Sequence, residues 1–146
     1  MLTFLIVALV AAVILYGTHA TNAISTTLRN NLADQFGLRA DSGAGAGLLE
    51  FHTAAFAAKL ATLTLTTPTP WIAAVAGVAQ EATITGDASA DASGIVALYR
   101  VTTSTPATEW EGTAGEAAED IVFNESTWVA GDQIDVTDLP ITQPAG

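Results

Sequence analysis

The chain has 146 residues, with fifteen acids against four bases and a net charge of −11. A surface that acidic repels phosphates, so nucleic-acid binding is excluded as a function class. There is no cysteine, which removes disulfides, thiolate metal sites and cysteine nucleophiles, and the length suits one domain rather than two.

Residues 1–17 read MLTFLIVALVAAVILYG, and the first charge is Arg29. A helix over residues 1–20 would be about 30 Å long, the thickness of a bilayer core. It would be apolar all round, so it must be buried on every side, in lipid or among protein subunits. The expected anchoring side chains are Leu2, Phe4, Leu5, Ile6, Leu9, Val10, Val13, Ile14, Leu15 and Tyr16. A cleaved signal peptide fits the small residues around Ala20 but not the missing basic stretch before the apolar run.

Ile24, Leu28, Leu32 and Phe36 recur every four residues, which predicts an amphipathic helix over residues 21–37 with those side chains on one face. Asn22 or Ser25 is the expected N-cap and Gly37 the expected stop. The apolar face is expected to pack on the chain's own sheet, with a partner-binding face as the alternative. Residues 38–47 contain Asp41-Ser-Gly-Ala-Gly-Ala-Gly47, a flexible linker by composition.

Residues 48–146 read as a β domain. Strands are expected over 48–53, 60–66, 80–85, 95–103, 108–113, 121–123 and 133–142, with 71–79 as a loop or short strand across one end of the core. Short strands between regular turn signals predict a mainly β protein, an antiparallel sandwich or small barrel behind the N-terminal helix. Expected inward residues are Leu63, Leu65, Ile84, Val96, Leu98, Val101, Trp110, Val122, Phe123, Ile134, Val136 and Ile141. Trp71 and Trp128 fall near strand ends, where they would be either lids on the core or interface anchors.

Little in the sequence points to catalysis. His19 and His52 are the two histidines, and they lack metal-ligand spacing. No nucleophile elbow accompanies His52. Glu109 and Glu111 could form a carboxylate pair, but no other feature suggests a sugar cleft. Asp87 with Asp91, or Asp132 with Asp135, could hold a hard cation only loosely, since their spacing is not that of an EF-hand. Asn124-Glu-Ser126 fits a glycosylation sequon. The chain is therefore expected to be no enzyme and to need no cofactor or metal.

Several segments occur in an order that resembles a family of small tailed-phage virion proteins. These are Ile24-Ser-Thr-Thr-Leu-Arg-Asn-Asn-Leu-Ala-Asp34, Leu60-Ala-Thr-Leu-Thr-Leu65, Ile84-Thr-Gly-Asp-Ala-Ser-Ala-Asp-Ala-Ser-Gly94, Leu98-Tyr-Arg-Val101 and Asn124-Glu-Ser-Thr-Trp-Val-Ala-Gly-Asp132. The resemblance runs from Ala23 to the C-terminus and implies a capsid decoration, or cement, protein on the virion surface. Its partners would be the major capsid protein and further copies of itself. Residues 1–22 depart from the family pattern and could insert between subunits, bundle with copies, or enter a membrane. The alternative is a membrane-anchored extracellular filament subunit similar to a type IV or archaeal pilin. Against it, Leu5 stands where bacterial pilins carry glutamate, and no prepilin leader is read.

Overall fold

The computed structural model describes residues 24–66, 71–81, 83–137 and 139–142. One helix, α1 (Thr26–Ala40), precedes eleven strands. They are β1 (Leu48–His52), β2 (Lys59–Leu65), β3 (Trp71–Val75), β4 (Val78–Glu81), β5 (Ile84–Thr85), β6 (Gly94–Ile95), β7 (Leu98–Thr102), β8 (Thr108–Gly115), β9 (Ile121–Val122), β10 (Thr127–Trp128) and β11 (Pro140–Thr142). The protein is mainly β, with mostly antiparallel sheets that include a curled half-barrel.

The half-barrel is a six-stranded sheet in the order β5-β2-β1-β7-β8-β9. Its pairs are antiparallel apart from β8 with β9. Side chains alternate across the strands. On β1, Leu49 and Phe51 are fully buried while Glu50 points to the other face. Leu60, Ala61, Leu63, Leu65, Val96, Val101 and Leu139 complete a continuous core. At one end, Phe51, Phe123 and Trp128 pack edge to face, with ring centroids 5.0–5.4 Å apart. Such pairs prefer this geometry because a positive ring edge meets a negative face. The Trp128 indole also donates to the Glu125 carbonyl at 3.2 Å.

β6 and β10 form a small ladder, and β11-β4-β3 form a third sheet. The expected loop over 71–79 is thus a hairpin. Its turn residues Ala76 and Gly77 both have positive φ, 54° and 85°. That twist matches the right-handed twist of paired strands.

Several sequence boundaries need correction. α1 continues past Gly37 to Ala40, because Gly37 is a buried packing position rather than a stop. The expected linker is largely a packed turn. Gly45 donates its amide to Ser104 Oγ at 3.0 Å, and a Cβ on Gly47 would lie 2.8 Å from the Ala40 carbonyl oxygen. The strand expected over 80–85 is split between β4 and β5. That over 133–142 reduces to an isolated bridge at Ile134 and to β11. Val122, expected inside, is exposed on the short β9.

Candidate functional site

α1 starts where the Ser25 hydroxyl accepts the Leu28 amide at 3.2 Å, the usual service of an N-cap serine. At the other end Arg39 sits in the last turn, favourable for the helix dipole. Its inward face is built from small and polar residues. Ala33, Gly37 and Ala40 are its buried positions, and Ala33 packs with Ala74 and Ala79 of the β3–β4 hairpin. Two side chains on this face serve hairpin amides. Asn30 Oδ1 accepts from Gly77 N and Asp34 Oδ1 from Ala74 N, both at 2.7 Å. Small side chains let the helix come close, and the two acceptors satisfy amides that would otherwise lack partners in the contact.

The leucines of α1, and Ile24 just before its N-cap, are left facing outward. Ile24, Leu28, Leu32 and Leu38 are 37%, 49%, 40% and 53% exposed. Of the row expected on a helix over residues 21–37, Leu28 and Leu32 share an exposed side, Phe36 packs on Trp110 of the sheet, and Ile24 precedes the Ser25 N-cap and so lies outside the helix. The sheet-facing side is already filled by Asn30, Ala33, Asp34, Gly37 and Ala40, so the leucines point to water. Burying one such side chain stabilises by about 1.5–3 kcal/mol, and none of the four collects that within this chain in full.

Phe36 is half-buried and meets Trp110 edge to face at 5.3 Å. A groove of about 360 Å³ opens beside this pair, lined by Leu32, Gln35, Phe36, Arg39, Glu109 and Trp110. Arg39 Nε donates to Glu109 Oε2 at 2.8 Å across its rim. The hairpin adds exposed Ile72 and Val75 beyond the helix.

A second cluster lies on the outer face of the half-barrel. His52 is buried there, with the Phe56 ring edge-on at 5.1 Å. Phe56 in turn receives the Arg100 guanidinium at 4.3 Å from its centroid. Ala55 and Phe56 hold φ of 58° and 53°, a costly region for residues with a Cβ. Glu50 Oε2 stands 3.4 Å from His52 Nε2, too poorly aligned for a hydrogen bond, and Glu50 Oε1 stands 3.4 Å from Lys59 Nζ. Burial lowers the His52 pKa; Glu50 opposes this, while Arg100 and Lys59 add to it. Burial favours the neutral imidazole, which packs under the Phe56 ring.

Five of the acids considered as sites, Asp87, Asp132, Asp135, Glu109 and Glu111, have structural partners. Asp87 accepts the amides of Thr62 at 2.9 Å and Ser89 at 3.0 Å. Asp132 accepts from Val129 N at 2.8 Å, and Asp135 from the Gln133 side chain at 2.8 Å. Glu109 pairs with Arg39, and Glu111 pairs with Arg100 at 2.7 Å. No group of three or more potential metal ligands occurs among the described residues.

Of the expected anchors, Leu2, Phe4, Leu5, Ile6, Leu9, Val10, Val13, Ile14, Leu15 and Tyr16 lie outside the described residues, and so does the Trp71 side chain. Of the two readings of Trp128, lid on the core or interface anchor, the structure has the first, with the residue 5% exposed inside the aromatic cluster. Leu38 was not singled out in the sequence because it follows Gly37; the helix running on to Ala40 puts it on the exposed face. Among the described residues no helix is long and apolar enough to cross a membrane. Comparison with protein-family models, curated proteins and solved structures finds no match.

Proposed function

We propose that this chain is a non-enzymatic structural subunit of a virion, a decoration protein that reinforces a capsid through subunit contacts. The observation that carries the reading is the outward apolar face of α1, which residues 18–25 separate from the uncharged stretch of residues 1–17. A folded half-barrel joined to apolar surface that the described residues leave open suits a protein completed by assembly. The order of segments that resembles small phage virion proteins gives the setting, and the acidity disfavours a nucleic-acid partner.

A second reading, a membrane-anchored pilin-like filament subunit, is favoured by the long apolar run that precedes a β domain. Mass spectrometry of virions, cell membranes and extracellular filaments from producing cells separates the two. Full-length chain in virions at a fixed ratio to the major capsid protein is the expected result. A uniform filament made mainly of this chain would overturn it.

A further inference from the structure

We propose that the connection from β1 to β2, residues 53–58, is an acid-opened strap: closed over His52 at neutral pH, it swings off the outer face of the half-barrel when the imidazole takes up a proton. The proposal goes beyond the assembly reading and does not depend on it.

The strap is clamped at its base and strained at its tip. At the base the Thr53 amide donates to the Ala58 carbonyl and the Ala58 amide to Thr53 Oγ1, both at 3.0 Å. Between them the chain makes one tight turn, Ala54–Phe56. Its amide bonds are longer, with Phe56 N donating to the Thr53 carbonyl at 3.1 Å and Ala57 N to the Ala54 carbonyl at 3.3 Å. Ala55 and Phe56 lie one after the other in the left-handed region, at φ 58° and 53°, where a Cβ is crowded. Opening releases that strain. The Phe56 ring holds the tip down, edge to face with His52 at 5.1 Å and 4.3 Å from the Arg100 guanidinium.

His52 is the group that closure penalises. It is 6% exposed, and neither ring nitrogen has a hydrogen-bond partner among the described residues. An imidazolium has two N–H donors to satisfy, and burying them unsatisfied is costly. Glu50 on β1 stands with Oε2 3.4 Å from His52 Nε2, while its Oε1 is 3.4 Å from Lys59 Nζ on β2. Turned to His52, it would serve Nε2 and leave Nδ1 without an acceptor. Arg100 on β7 is paired with Glu111 on β8 at 2.7 Å, and residues 53–58 carry no charge. A proton on His52 therefore sets a third cation against two carboxylates. Lifting the strap lets water reach both nitrogens, so the open form binds the proton better and acid shifts the population toward it. No proton drives opening above about pH 6.5, the ordinary histidine value. Opening grows as pH falls from there toward the lower pKa of the buried imidazole.

NMR of the isotope-labelled full-length chain in mild detergent, from pH 8 to pH 5, reads both partners. The His52 ring shifts report protonation. The cross-peak between the Phe56 and His52 rings, and the exchange protection of the Phe56 and Ala57 amides, report the strap. The cross-peak and that protection should be lost with the midpoint of the His52 titration, while the Thr53 amide at the base stays protected. His52→Gln removes the titrating group, and protection of Ala57 should then be the same across the range. Phe56→Ala removes the cover and should raise the His52 midpoint toward 6.5, by the same factor by which acid favours opening in the wild type, since the coupling is reciprocal. A cross-peak that survives after His52 has titrated overturns the proposal, because the closed strap then accommodates the imidazolium. So does a His52 that stays neutral to pH 5 beneath a closed strap. Acid opening that persists in His52→Gln also overturns it and assigns the movement to Glu50 or Glu111.

Discussion

Phe51 and Leu28 are both large apolar residues on regular secondary structure, yet the fold treats them oppositely. Phe51 is fully buried, with Phe123 and Trp128 against its ring at 5.2 and 5.4 Å. Leu28 leaves about half of its surface in water. The same division separates whole regions. In the half-barrel, large residues point inward and acids line the outside. In the unit of α1 and the β3–β4 hairpin, alanine, glycine and two polar acceptors point inward and leucines point out. The first region is stabilised by burying its own apolar surface. The second is positioned by close approach and hydrogen bonds, with much of its apolar surface exposed.

The sharpest way to break this contrast is to remove a side chain from each region in turn. Phe51→Ala deletes a ring from the aromatic cluster and should cost about 3–5 kcal/mol in urea or thermal unfolding, the range for large-to-small changes in packed cores. A loss under about 1 kcal/mol would show that the cluster is not the core of the half-barrel. Asp34→Ala comes next. It leaves the buried side of the Ala74 amide without its acceptor, which costs about 1–3 kcal/mol. The effect should be local: hydrogen exchange should quicken across the hairpin while amides of β1 and β7 stay protected. Equal loss of protection in both regions would mean that they unfold as one unit.

Acid should act on the half-barrel through His52. Its folded pKa is lowered from 6.5, mainly by burial. The unfolded chain therefore takes up a proton first as pH falls. The stability that His52 contributes is complete above about pH 6.5 and is lost as pH drops through that value toward the folded pKa. The unfolding midpoint should decline between neutral pH and pH 5, and His52→Gln should flatten that slope. An unchanged slope in His52→Gln would assign the acid sensitivity to carboxylates instead.

How much of this could be read in the sequence follows the same division. Alternation exposes the cores of β1, β2 and β7, because a strand with one buried face repeats every second residue; Leu63, Leu65, Val96 and Val101 are where the pattern puts them. The four-residue row on α1 is equally legible, but which side of the helix faces the sheet is not. Periodicity finds an apolar face, and the habit of globular proteins then turns it inward. Here the answer depends on Asn30 and Asp34 reaching amides 47 and 40 positions further along the chain, a long-range fact with no local signal. For Trp128 the sequence leaves core lid and interface anchor open. Its neighbours Thr127 and Val129 are exposed and turn signals surround it, while its ring reaches back to Phe51 on a distant strand.

The smallest expected effect is the most informative, since it compares one residue type in both regions. Leu49→Ala removes a fully buried side chain from β1 and should cost about 2–5 kcal/mol. Leu28→Ala removes a half-exposed one from α1 and should change the stability of the single chain by about 0.5 kcal/mol or less. Alanine is also the better helix former, which offsets part of any lost contact. Chemical denaturation at low protein concentration measures both under conditions that disfavour association. Raising the concentration should then separate the leucines further. If copies of the chain meet through this face, as an assembly subunit's would, the wild-type midpoint rises with concentration by mass action and that of Leu28→Ala rises less. A cost for Leu28→Ala near that for Leu49→Ala at every concentration would mean that the outward face of α1 is held by its own chain, and the contrast between the two regions would fall.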